Sequence, residues 1–170
     1  MKPATFLASR FASWLAPRFA PWLVAGLVLF ASACTDDPAP SATITRVTPD
    51  QVTPSDDALD DLTITLRYDD SDGDLGGGVA EVTDCRAGDV MIELAIPPIA
   101  AESGQHITGT LELQVNDIGQ VASTALPTVC ADLGVKELAP NTAVFCVVLV
   151  DGASHRGGGD CTQPITIAQP

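Results

Sequence analysis

Basic residues are few in this chain, and histidines and aromatic residues fewer. Eight lysines and arginines stand against 22 acids in 170 residues, a formal net charge of −14. Nucleic-acid affinity comes largely from neutralising phosphates with basic side chains, so this balance excludes a nucleic-acid binder. It also excludes docking on anionic lipid by charge alone. Two histidines leave little material for a histidine-based metal site or a set of histidine-dependent catalysts. No pair of cysteines has the C-x-x-C spacing of a zinc or redox site. No stretch from 43 to 170 shows convincing helical periodicity, although 121–136 has room for a short helical turn. Hydrophobic residues still make up 46% of the chain, which sets it apart from disordered compositions. Its length is room for one domain.

These shortages are unevenly spread. Residues 1–33 contain Lys2, Arg10 and Arg18 and no acid. All 22 acids therefore lie from Cys34 onward, where the net charge is −17. Both tryptophans and four of the five phenylalanines lie before Cys34, which leaves Tyr68 and Phe145 as the aromatic residues of the remainder. Any core there has to be aliphatic.

The first 33 residues read as a targeting signal. Three basic residues precede an apolar run, Phe19 to Ala33, that is shorter than the roughly 20 residues of a bilayer-spanning helix. The run ends Phe30-Ala31-Ser32-Ala33-Cys34. This resembles a bacterial lipoprotein signal peptide with its lipobox, although Ala31 stands where leucine is commonest. The resemblance covers residues 1–34. It implies cleavage before Cys34, a diacylglycerol on the Cys34 thiol and, usually, a further acyl chain such as palmitate on its new α-amino group. Residues 34–42 then form an acylated cysteine and a flexible tether, and 43–170 a folded domain. Two or three acyl chains, at about 0.8 kcal/mol per buried CH₂, anchor a protein stably. An ordinary signal peptide, with Cys34 left as a thiol, is the other reading.

Setting Cys34 aside leaves Cys85, Cys130, Cys146 and Cys161. An even number in an exported chain reads as two disulfides. Spacing alone leaves all three connectivities open.

Strand signals dominate the domain. Leu62, Ile64, Leu66 and Tyr68 alternate with Thr63, Thr65 and Arg67, Val90, Ile92, Leu94 and Ile96 alternate around Glu93, and Ile107, Leu111, Leu113 and Val115 around Thr110, Glu112 and Gln114. Residues 143–150 are apolar throughout, as in a central strand covered on both faces. Weaker segments lie at 43–48, 79–84 and 163–168. Seven short strands in this length suggest an all-β, antiparallel β-sandwich. Leu138-Ala139-Pro140-Asn141-Thr142 resembles the Leu-x-Pro-Gly-Thr corner of fibronectin-type-III domains, a branch of the immunoglobulin-like folds. Asp151-Gly152-Ala153 resembles the loop that follows it in bacterial extracellular modules. Asn141 replaces the corner glycine, Val144 the corner tyrosine, and strand C has no tryptophan. The resemblance implies strands A 43–48, B 61–68, C 79–84, C′ 90–96, E 107–115, F 143–150 and G 163–168. On that strand order Cys85 and Cys130 share one pole, while Cys146 and Cys161 lie on neighbouring strands. It therefore implies the pairs Cys85–Cys130 and Cys146–Cys161.

The sharpest chemical feature is Asp69-Asp70-Ser71-Asp72-Gly73-Asp74-Leu75 followed by three glycines. Alternate Asp70, Asp72 and Asp74 are placed to converge on one hard cation such as Ca²⁺. An EF-hand-like count from Asp70 makes Glu81 the twelfth, bidentate ligand. Leu75 then occupies the sixth position, where the sharp turn needs glycine, so an EF-hand is a poor fit. A Ca²⁺ site on a sandwich loop, joined by Asp151 and Asp160 from the loops after strand F, remains one reading. A solvated acidic loop is the other.

Ser154 and His155 beside Asp151 and Asp160 look superficially like a nucleophilic triad. Adjacent loop residues are badly placed to share a hydroxyl proton, and no G-x-S-x-G elbow is present. His106 begins strand E with no partner evident in sequence. The glycine triplets at 76–78 and 157–159 lack the Lys-Ser/Thr of a phosphate loop. The expectation is a non-catalytic, exported module, held by lipid at an outer membrane or cell surface and serving an envelope or protein partner. Its alternative is a Ca²⁺-dependent binding or adhesion module.

Overall fold

A computed structural model describes residues 39–53, 61–88, 91–100, 104–116, 118–119 and 125–168. The signal segment and Cys34 lie outside them, as does Val90. The fold is built from β-strands: β1 (Ser41–Thr48), β2 (Gln51–Val52), β3 (Leu62–Asp70), β4 (Val79–Asp84), β5 (Met91–Ala95), β6 (Ile107–Val115), β7 (Thr142–Ala143), β8 (Phe145–Val150), β9 (Asp160–Cys161) and β10 (Ile165–Ile167). One short helix, α1 (Thr128–Asp132), falls inside the 121–136 stretch. Among the described residues no helix is long and apolar enough to cross a membrane.

Three sheets form. The first has the order β1-β3-β6 and the second β5-β4-β8-β9, both antiparallel. In a small third sheet β10 lies parallel to β2 and antiparallel to β7. The period-two pattern of β3 has its intended effect. Leu62, Ile64, Leu66 and Tyr68 face inward and are buried, and β6 answers with Leu111, Leu113 and Val115. Ala80 and Val82 of β4 and Phe145, Val147 and Leu149 of β8 complete this core from the other sheet. Tyr68 lies opposite Gly109. A Cβ at position 109 would overlap the tyrosine hydroxyl, so glycine there makes room for one of the domain's two aromatic rings.

The outer face of β8 is covered by a second cluster. Cys85, Cys130, Val144 and Cys146 are buried there, with Leu126, Val129, Leu133, Val135 and Leu138 packed around them. This is why 143–150 reads as apolar on both faces. Disulfides join Cys85 to Cys130 and Cys146 to Cys161, the pairing implied by the sandwich strand order. Cys146 and Cys161 are direct cross-strand partners, with Cα atoms 4.0 Å apart. The two bridges touch, with Cys85 Sγ 3.5 Å from Cys146 Sγ.

Several expected elements are altered. Seven strands become ten among the described residues, because one is divided and β2 and β9 are added. The 143–150 strand breaks at Val144, where the chain passes from pairing with β10 to pairing with β4. Val144 turns its carbonyl to the Cys85 N–H (2.9 Å), and the Phe145 N–H donates to Thr162 Oγ1 (3.1 Å), so the switch is held by bonds outside both ladders. The expected 163–168 strand is shortened to β10, in the third sheet, and a further short strand, β9, forms just before it on β8. On β5, an edge strand, Ile92 is exposed instead of inward, and burial is complete only at Ile96. Asn141 adopts a left-handed φ of 57°, the conformation that a glycine serves at a corner.

Candidate functional site

The acidic loop begins where the alternation of β3 ends. After Leu62, Ile64, Leu66 and Tyr68, the next inward position is Asp70. Its side chain is thus delivered to the core face by the same periodicity that buries the leucines, and it is 0% exposed. The Leu75 N–H donates to Asp70 Oδ2 at 2.9 Å. Leu75 is itself fully buried, so the loop folds back over its own acid. Gly73 and Gly77 take the left-handed φ values of 80° and 85° that this reversal needs.

Neighbouring connections hold the loop from both sides. Gly104 N–H, before β6, donates to the Asp72 carbonyl at 2.6 Å. Gly152 N–H, after β8, donates to the Asp74 carbonyl at 3.0 Å. Gly78 packs against the β8 main chain so closely that a Cβ there would overlap the Val150 carbonyl.

Within this frame the carboxylates of Asp70, Asp72 and Asp74 converge, each offering an oxygen within 4.8 Å of the others. Asp70 Oδ1 and Asp74 Oδ1 are buried with no hydrogen-bond partner. Among the described residues no basic side chain forms an ion pair with either one. Burial, and then the adjoining Asp72 carboxyl, push the Asp70 carboxyl above the ordinary value of 3.8. Asp74 is pushed up to about 6 by burial, and then by the charges of Asp151, Asp72 and Asp70.

Of the other acids proposed from sequence, Asp151 does approach. Its buried carboxylate accepts from the His155 N–H (2.8 Å) and meets His155 Nδ1 (3.2 Å), while its charge acts on Asp74. Asp160 does not join it. Asp160 lies on β9 opposite Val147 and accepts from the main-chain N–H groups of Ile44 (2.8 Å) and Cys161 (2.9 Å). Glu81 is also elsewhere. The chain enters β4 at Val79, which sets Glu81 between Glu93 and Val148 in the ladder, and its carboxylate takes Arg156 (Nε–Oε2 2.8 Å). Counting twelve loop positions from Asp70 fails because the loop is over before Glu81. His106, without an evident partner in sequence, has Asp69 as a surface neighbour, Nε2 to Oδ1 3.1 Å.

Sequence reasoning missed a buried ion pair at the far end of β4. Arg86 grips Asp84 through Nε (3.0 Å) and Nη2 (2.7 Å), and Nη2 also donates to the Ile118 carbonyl (3.0 Å). The signal available was an aspartate and an arginine flanking Cys85, a cysteine expected to be bridged. The sulfurs of Cys85, Cys130 and Cys146 also cluster, but both bridges are closed and no thiolate is left there to bind a metal.

Comparison with protein-family models, curated proteins and solved structures finds no match to the chain. Its chemistry rests on the residues just described.

Proposed function

We propose that the chain is an exported lipoprotein: an immunoglobulin-like, fibronectin-III-type sandwich held at a bacterial membrane surface by lipid on Cys34, and acting by presenting a binding surface, without catalysis. The disulfide pattern carries this reading. Of five cysteines, four are paired within the domain, and the remaining one stands where an apolar, small-residue run ends. Paired bridges suit an oxidising compartment, and a lone cysteine at the end of a signal suits acylation. The strand orders β1-β3-β6 and β5-β4-β8 support the fold assignment, since they correspond to A-B-E and C′-C-F, with β9 beside F just ahead of the expected strand G. The corner before β7 supports it too. Thr142 donates from both N–H (3.2 Å) and Oγ1 (2.7 Å) to the Ala139 carbonyl, and Leu138 packs under the second cluster.

The test is the intact mass of the protein extracted from membranes, with Cys34→Ala beside it. The expected result is a mature N-terminus at Cys34 carrying diacylglycerol and amide-linked acyl mass, both absent from the variant, which leaves the membrane fraction. A wild-type protein lacking acyl mass and recovered in soluble form would overturn the proposal.

A further inference from the structure

Asp84 and Asp70 are both acids that the fold buries, and only one has a counter-charge. Asp84 is matched by Arg86. Asp70 has one oxygen on the Leu75 N–H and the other without a partner, inside a protein and beside two further carboxylates. An unpaired charge in such a place costs several kcal/mol unless it is neutralised. Two occupants can do that: a proton shared within the cluster or a cation.

We propose that Asp70, Asp72 and Asp74 hold a single Ca²⁺ ion. The donors are all carboxylate oxygens, which select a hard cation over zinc or copper. Oxygens on opposite sides of a Ca²⁺ shell are about 4.6–5.2 Å apart at ligand distances of 2.3–2.6 Å, and the three carboxylates already converge within 4.8 Å. Asp72 and Asp74 are half-buried, so water reaches the ion and fills the rest of its shell. The loop is arranged before the ion arrives, because Leu75, Gly104 and Gly152 fix its backbone. Asp151 adds negative potential from behind His155. The ion's effect is to clamp three connections at one end of the domain: β3–β4, which supplies the ligands, and β5–β6 and β8–β9, whose glycine N–H groups hold that loop. Three carboxylates with water suit the weak class of extracellular sites, with a dissociation constant on the order of 10⁻⁴–10⁻³ M. This inference does not depend on lipid at Cys34.

The experiment titrates the chelator-stripped full chain with CaCl₂, and separately with MgCl₂ and with NaCl of matched ionic strength, by calorimetry and thermal unfolding. The wild type is expected to bind one Ca²⁺ and to gain on the order of 5 °C in Tm at roughly tenfold excess over the dissociation constant. Amide exchange at Gly104 and Gly152 is expected to slow when Ca²⁺ is added. Asp70→Asn and Asp74→Asn are expected to lose the calcium heat and the shift, yet to unfold in chelator no earlier than the wild type, because each removes a repelled charge. Asp74 is the less buried of the two, so its variant keeps the test meaningful should Asp70→Asn misfold. No response to Ca²⁺ beyond that to NaCl, tighter binding of Mg²⁺ than Ca²⁺, or an undiminished response in Asp74→Asn would each overturn the proposal.

Discussion

At one end of β4, Asp84 is buried with Arg86 beside it. At the other, Asp70 is buried among acids and, among the described residues, forms no ion pair. The first end is closed by two touching disulfides and a second apolar cluster. The second is made of loops joined by main-chain hydrogen bonds. The sheets between them share one core, so the difference does not come from burial. It comes from what neutralises the buried charge. One end supplies its own cation, and the other brings together carboxylate oxygens alone.

Breaking the closed end should have the larger effect. Arg86→Ala strands Asp84 and releases the 118–119 segment, and should cost about 3–5 kcal/mol, read from denaturant midpoints. Replacing Cys85 and Cys130 together by alanine opens a 45-residue loop and should cost about 2–4 kcal/mol in the same assay. The two bridges touch, so a single replacement should differ in kind. Cys130→Ala leaves the Cys85 thiol against the neighbouring bridge, and non-reducing peptide mapping should then show a Cys85–Cys146 peptide.

The open end should give the smallest effect, with the unusual sign. Asp70 and Asp74 hold protons more tightly folded than unfolded, because both carboxyls are raised from 3.8, Asp74 to about 6. Between those values the folded chain binds more protons than the unfolded chain. Stability in chelator should therefore be fully present below pH 3.8 as far as these groups are concerned, and fall as pH rises to about 6. Denaturation midpoints across that range, with and without chelator, would separate this slope from the acid loss that other carboxylates impose.

Much of the fold was legible in sequence where one residue at a time decides the outcome. Alternation placed β3, β4 and β6 within two residues, since one face of each meets the core. What stayed hidden depends on partners distant in sequence. Nothing in the apolar run 143–150 marks Val144 as the place where the chain changes sheets, because that is decided by Cys85 and Thr162. The Arg86–Asp84 pair is completed by carbonyls 32 and 33 residues away. At the candidate site the three aspartates were visible as a spacing. Glu81 was drawn in by a count that took the loop to be twelve residues long, when pairing of Val79 with Val150 ends it sooner.

The chain's entry into the domain has a definite place. The chain enters β1 at Ser41, opposite Asp69, with Pro40 buried where a Cβ on Gly157 would overlap its carbonyl. The chain's entry into the domain therefore lies at the acidic end. Both disulfides lie at the other end, so the entry and the acidic loop are held together by the pairing of β1 with β3 and not by either bridge.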